Sequence, residues 1–127
     1  MRGDLLKNFQ GCFLGKAVGD AVGFLVEGYD SVNAGIYVND FIDALKVPSL
    51  PRGQFTFGQY SDDSQLAREL CISLVEKNGF DPEDYANRIA QIFKSGKIVG
   101  GGRATGNSAK RLLDGIYWQE FAAVSVA

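Results

Sequence analysis

Glycines at four-residue intervals run through the longest apolar stretch of the chain. This stretch extends from about Asp4 to Val22, and its apolar residues recur at helical spacing, which predicts a buried helix. The repeating residues are Gly11, Gly15, Gly19 and Gly23. Each glycine inside a helix costs about 1 kcal/mol relative to alanine, so some interaction must offset the loss. Two offsets are open: a second helix packed closely against the glycines, or a ligand that approaches the main chain.

Most of the remaining chain also has helical signals. A face of leucines predicts a helix from Asp62 to Lys77, and Asp81-Pro82 is a typical start for the next helix. A further helix is expected from Thr105 or Asn107 to Asp114. The region from 29 to 60 is less regular, with a helical piece expected around Val38 to Leu45, irregular chain at Pro48 and Pro51, and a possible short strand at Phe55 and Phe57.

Size and composition favour one all-α domain. The chain has 127 residues, of which 46% are hydrophobic, which suits a single domain over residues 1–127 with at least four helices. A net charge of -2 with scattered basic residues argues against nucleic acid as a partner. Lys16 and Asp20 interrupt the first apolar stretch, so we expect no membrane span. The two isolated cysteines, Cys12 and Cys71, suit a reducing compartment, so we expect a cytoplasmic protein in which both are buried and unpaired.

The absence of histidine narrows the chemistry. It removes the commonest general base and every Ser-His or Cys-His nucleophile. Ser61, Asp62 and Asp63 place a hydroxyl and two carboxylates at the start of a helix, and hard cations such as Mg²⁺ favour such oxygen ligands. The same residues also suit a purely structural role, with Ser61 as the N-cap and two acids in the first turn.

A glycine-rich segment, Gly96 to Gly106, precedes the last predicted helix. It fits neither a dinucleotide fingerprint nor a Walker loop, and a flexible connector is one interpretation. Backbone N–H groups that lead into a helix amino terminus also suit a diphosphate, and Arg103 would add positive charge.

Several of these segments together resemble the opening of the ADP-ribosylglycohydrolase family. The resemblance is carried by Gly11 to Gly23, then Val26-Glu27, then Gly58 to Ala67 with its Ser-Asp-Asp motif, and Gly100 to Thr105. It covers essentially the whole chain and implies an all-helical bundle of orthogonally packed helices that binds two magnesium ions. The expected substrates are ADP-ribosylated proteins or small ADP-ribose conjugates.

The resemblance also implies roles for individual residues. Ser61, Asp62 and Asp63 would be metal ligands, and Glu27 would lie near the scissile bond or near a mobile loop that covers the metals. Either Glu27 or Asp62 would take a proton from the attacking water. Asp20 would orient a ligand or a metal-bound water. The segment that would line the ADP-ribose cleft comprises Gly100, Gly101, Gly102, Arg103 and Thr105.

The chain departs from the family pattern in length. Family members are more than twice as long, and their second acidic cluster, Asp-x-Asp-Ser/Thr, lies near the far end, whereas this chain has no Asp-x-Asp. We therefore expect the amino-terminal portion of the fold, with part of the magnesium site. A truncated reading frame, a split enzyme completed by another chain, and a short relative that binds without hydrolysis all remain open. The alternative function is a non-catalytic ADP-ribose-binding or assembly module that self-associates or pairs with a complementary chain.

Overall fold

A computed structural model describes residues 2–44, 46 and 54–120. Over these residues the chain is all-helical, which confirms the expected class. The helices are α1 (Arg2–Gly23), α2 (Ser31–Tyr37), α3 (Asp62–Glu76), α4 (Pro82–Lys94) and α5 (Arg103–Leu113), with 3-10 turns at Phe24–Val26 and Trp118–Glu120 and a π-helical turn at Val38–Ile42. The chain divides between Tyr60 and Ser61 into two compact units. The single domain expected over residues 1–127 stays a prediction.

The first unit contains α1 and α2, joined by a 3-10 turn. Phe24, Leu25 and Tyr37 are its buried apolar residues. The Tyr37 hydroxyl donates to the carbonyl oxygen of Val22 at 2.7 Å, which ties α2 to the end of α1. The ring of Phe55 packs against Phe24, with centroids 5.3 Å apart, and no regular strand forms over residues 54–60. The strand considered at Phe55 and Phe57 is therefore wrong.

Helix α2 was not expected from the sequence. Its N-cap is Asp30, whose Oδ1 accepts from the Asn33 backbone N–H at 2.9 Å while the Asn33 amide donates to Oδ2 at 2.7 Å. These bonds lower the pKa of Asp30. The helical piece expected at Val38 to Leu45 corresponds to the π-helical turn, while Leu45, Pro48 and Pro51 lie outside the described residues.

Helix α1 has the expected length but not the expected burial. Leu5 is 71% exposed, and other large apolar side chains of α1 are more than half exposed, namely Leu6, Phe9, Leu14 and Val18. Cys12 is also exposed, contrary to the expectation, and Cys71 is half-buried. Periodicity indicates which face of a helix is apolar but does not reveal what covers it.

The glycines of α1 are open within the described part of the chain. A Cβ atom added at Gly11, Gly15, Gly19 or Gly23 would meet nothing within 4 Å there. A second helix packed against these glycines is therefore not observed among the described residues, and the ligand stays a prediction. By length and composition alone, Gly3–Val26 also suffices to cross a membrane, although soluble core helices and signal sequences meet the same criterion.

The second unit packs α4 against both α3 and α5. Small residues allow close approach between the helices, because Ser73, Ala90 and Ala109 are buried. Asp81 caps α4 as expected, since its Oδ1 accepts from the backbone N–H groups of Glu83 and Asp84 at 3.0 Å each.

Charged side chains add a second link between α3 and α4. Arg88 donates to Asp84 at 2.6 Å and to Glu76 at 2.5 Å. The Arg88 guanidinium, with a smaller contribution from Ser73, holds the pKa of Asp84 below its ordinary value. Together, these contacts fix the helices from whose ends the candidate site is built.

Candidate functional site

Ser61 begins the site by capping α3. Ser61 is only 5% exposed and its backbone is extended. Its Oγ accepts a hydrogen bond from the Asp63 N–H at 3.3 Å. The structural interpretation of Ser61 as an N-cap is therefore confirmed. Capping does not exclude metal binding, because a hydroxyl oxygen has two lone pairs and this bond uses one of them.

Asp62 connects α3 to the loop that precedes α5. We define the 95–102 loop as the residues between α4 and α5. The backbone N–H of Asp62 donates to the Val99 carbonyl oxygen at 2.7 Å, and the N–H of Gly102 donates to Asp62 Oδ2 at 3.4 Å. Asp62 is half-buried, whereas Asp63 is exposed. Two of the sequence segments predicted to form the site are thus adjacent.

Glycine is required at two positions near the end of the 95–102 loop for different physical reasons. Gly100 has a φ of +69°, a left-handed conformation that side chains other than glycine rarely adopt. A Cβ at Gly101 would lie 3.2 Å from atoms of both Ile98 and Phe93, so glycine permits this close packing. Because these positions are shaped by backbone conformation and contact, the interpretation as a merely flexible connector is not favoured.

Gly102 is the N-cap of α5 and brings no side-chain acceptor. Gly102 therefore makes no side-chain cap bond to the first turn of α5. The first N–H groups of a helix have no partner in their own helix and lie at the positive end of its dipole, which suits an anion. Helix α5 begins at Arg103, two residues earlier than the first expected position. Arg103 and Thr105, predicted to bind substrate, therefore lie in this first turn.

Glu27 and Asp20 belong to the first unit. Asp20 is half-buried on α1, and Glu27 is exposed directly after the 3-10 turn, where its N–H donates to the Phe24 carbonyl oxygen at 3.4 Å. The other predicted site residues belong to the second unit. The roles of Glu27 near the scissile bond and of Asp20 as a supporting residue stay predictions.

The oxygen donors at α3 fit one side of a magnesium site. Ser61, Asp62 and Asp63 are consecutive, and hydroxyl and carboxylate oxygens are the ligands that Mg²⁺ prefers. The described residues contain no group of three or more acidic, histidine or cysteine side chains that would hold a metal by itself. A complete metal site is therefore not seen among the described residues.

Sequence reasoning missed Gln65, one turn into α3. Its side-chain amide bonds to the backbone of the 95–102 loop at both Lys97 and Val99. A glutamine on a helix gives no local signal of such a contact, because its partners lie more than 30 residues away in the chain.

Comparison with known proteins shows the family to which the chain belongs. The model of the ADP-ribosylglycohydrolase family matches residues 1–126. The chain belongs to the ADP-ribosylglycohydrolase family. No solved structure matches the chain.

Relatives from distant organisms match the same region. Human ADP-ribosylhydrolase ARH3 is 34% identical over 110 residues, which cover 86% of this chain and 30% of the human protein. An uncharacterized protein of Archaeoglobus fulgidus is 33% identical over 112 residues, covering 88% of this chain and 36% of the relative. ADP-ribosylarginine hydrolase Tri1 of Pseudomonas putida is 30% identical over 123 residues, covering 90% and 30%. The chain thus spans about a third of the length of these relatives.

Proposed function

We propose that the chain supplies one side of a magnesium-dependent ADP-ribosylhydrolase active site. The reaction is hydrolysis of the glycosidic bond that links ADP-ribose to a protein side chain or small conjugate. One observation carries the proposal: the carboxylate of Asp62 accepts a hydrogen bond from the N–H of Gly102 at the start of α5. A candidate cation-binding group and a candidate anion-binding helix end are thereby adjacent. Membership of the family and the names of the relatives support the choice of reaction.

Ser61, Asp62 and Asp63 are the proposed metal ligands. Bound Mg²⁺ would supply positive charge to ribose oxygens and to the attacking water. The backbone bonds of Asp62 hold its carboxylate in place before any ligand binds. Exposed Asp63 is accessible to the solvent from which a cation arrives.

The start of α5 is the proposed diphosphate site. The N–H groups of the first turn donate to phosphate oxygens, and the Arg103 guanidinium adds charge. Gly100 and Gly101 let the backbone of the loop reach its position, and Thr105 lies in the same turn.

Glu27 or Asp62 would take the proton from the attacking water, and Asp20 would orient a ligand. A carboxylate can accept this proton as the anomeric carbon is attacked. The remaining ligands, including the second acidic cluster of the longer relatives, would come from chain outside these 127 residues. We place the protein in the cytoplasm.

An assembly module is the second candidate. The observation that favours it is the exposure of Leu5, Leu6 and Phe9 on α1, because surfaces of this kind usually pack against another protein segment. Under this hypothesis a second copy or a complementary chain covers α1, with or without ADP-ribose binding. No hydrolysis is then required of the chain.

Release of ADP-ribose tests the first candidate. The purified chain is incubated with peptides ADP-ribosylated on arginine or serine, with Mg²⁺ or with chelator, and compared with Asp62→Ala. Asp114→Ala is the control, because Asp114 is exposed at the opposite end of α5 from Gly102. Release that needs both Mg²⁺ and Asp62 supports the enzyme.

Binding and assembly separate the other outcomes. Calorimetry that shows Mg²⁺-dependent ADP-ribose binding without release supports one side of a site that needs its remaining part. Absence of both binding and release, with a dimer by size analysis that Asp62→Ala does not alter, would replace the enzyme by the assembly module.

A further inference from the structure

The Gln65 side chain joins α3 to the 95–102 loop through both ends of its amide. Its Nε2 donates to the Lys97 carbonyl oxygen at 2.8 Å, and its Oε1 accepts from the Val99 N–H at 2.8 Å. A primary amide that donates and accepts in one plane reproduces the pairing of a backbone peptide group. The loop is thus bound to α3 much as a strand is bound to its neighbour.

Val99 is consequently held on both of its backbone groups. Its N–H is bound by Gln65, and its carbonyl oxygen accepts from the Asp62 N–H at 2.7 Å. Asp62 and Gln65 are three residues apart on α3 and so share one side of the helix. The Asp62 N–H is also one of the first-turn donors that have no partner within a helix, so Val99 satisfies it.

The Phe93 ring restrains the end of the same loop. A Cβ at Gly101 would lie 3.2 Å from Phe93 Cε1, and one at Gly106 would lie 3.5 Å from the same atom. Gln65 therefore fixes the loop at residues 97–99, and Phe93 limits it at Gly101. Directly after these restraints the chain reaches Gly102, whose N–H donates to the Asp62 carboxylate.

We propose that Gln65 is the positioning residue that sets the spacing between the Asp62 carboxylate and the amino terminus of α5. This inference rests on the proposed function, in which the first group holds Mg²⁺ and the second holds a diphosphate. Gln65 touches neither the substrate nor the cation. It acts through Val99, and its loss lets the diphosphate-binding turn move relative to the carboxylate.

Two substitutions at Gln65 and one matched control test the proposal. Gln65→Leu removes both hydrogen bonds with similar side-chain length, whereas Gln65→Glu keeps an acceptor for Val99 and loses the donor to Lys97. Gln91→Leu is the control, since Gln91 is an exposed glutamine within a helix. Circular dichroism first establishes that each variant of the full 127-residue chain is folded.

Amide hydrogen exchange measures how well the Val99 N–H in the loop is protected, and calorimetry with ADP-ribose and Mg²⁺ measures ligand binding at the site. In Gln65→Leu we expect protection of the Val99 N–H to fall about five- to tenfold, as for loss of one net hydrogen bond, whereas Gln65→Glu keeps an acceptor for that N–H and should lower its protection less. The Kd for ADP-ribose should rise about five- to tenfold in Gln65→Leu and should also rise in Gln65→Glu, which loses the bond to Lys97. The Gln91→Leu chain should match wild type in both measurements.

The outcomes separate the inference from the proposed function. Unchanged Val99 protection in Gln65→Leu shows that Gln65 does not hold the loop and overturns the positioning role. Reduced protection with an unchanged Kd shows that Gln65 is structural only. If wild-type chain binds no ADP-ribose at all, the proposed function of the chain fails, and the positioning role fails with it. Weaker binding in both Gln65 variants, but not in the control, supports the positioning role.

Discussion

Replacement of Gly101 by alanine tests whether the Phe93 ring restrains the 95–102 loop. The added methyl carbon would lie 3.2 Å from Phe93 Cε1 and Ile98 Cγ1, and 3.3 Å from Phe93 Cζ. Carbon atoms ordinarily approach to about 3.5–4.0 Å, so the ring or the loop must shift by a few tenths of an ångström. Overpacking of this kind costs about 1–3 kcal/mol.

A smaller opposing effect comes from the unfolded chain. Gly101 does not have a positive φ, so alanine can adopt its backbone conformation. Restriction of the unfolded state then returns about 0.4–1 kcal/mol. We expect a net loss of about 1–2 kcal/mol in the free energy of unfolding, measured by urea denaturation.

Gly102→Ala and a double-mutant cycle are the controls. A Cβ at Gly102 meets nothing within 4 Å in the described part of the chain, so this variant creates no clash. Alanine is a poorer N-cap than glycine, but restriction of the unfolded chain offsets this cost, so the variant should lie within about 0.5 kcal/mol of wild type. In a Phe93→Leu background, the cost of Gly101→Ala should shrink by about 1 kcal/mol. Strictly additive effects, or equal stabilities of the two alanine variants, would refute the restraint.

Three further predictions concern the helices. Ser61→Ala should lower the free energy of unfolding, measured by urea denaturation, by about 1 kcal/mol through loss of the bond to the Asp63 N–H. It should also weaken Mg²⁺-dependent ADP-ribose binding, measured by calorimetry. Ser61→Thr should retain both the stability and the binding. The pKa of Asp84 is lowered in the folded protein, so its ion pair adds stability that is fully present above the ordinary pKa of 3.8 and is lost as pH falls through the lower pKa of the folded state. Asp84→Asn should therefore flatten the dependence of the free energy of unfolding on pH between about pH 5 and 2. An unchanged dependence would contradict the pairing with Arg88. Gly11→Ala should raise the stability of the chain by about 1 kcal/mol because its methyl group meets open space among the described residues, and a loss in urea denaturation would instead reveal a covered helix face.

Features that depend on neighbouring residues could be predicted from the sequence. The cap at Ser61 and the start of α4 at Asp81-Pro82 are set by side chains that bond within three residues. The Asp30 to Asn33 pairing is equally local, so the signal for the start of α2 is also present in the sequence. The resemblance to the family also selected the two segments that the structure brings together at Asp62 and Gly102.

Features that depend on distant contacts could not be predicted. The partners of Gln65 lie 32 and 34 residues away, and no local pattern specifies them. The start of α5 was placed too late because glycines usually weaken helices, whereas here Gly102 is the cap. The exposure of apolar side chains on α1 could not be predicted either, because the pattern of apolar residues is independent of what packs against them.

Glycine at the N-cap of α5 makes selection for stability oppose selection for ligand binding. Serine or aspartate at position 102 would improve the cap by a few tenths of a kcal/mol, so a screen for heat resistance would tend to accept them. The new side-chain oxygen would then accept the bonds that we assign to the diphosphate and would act as an inhibitor built into the chain. A thermostable variant chosen without a binding assay would therefore favour the wrong residue at this position.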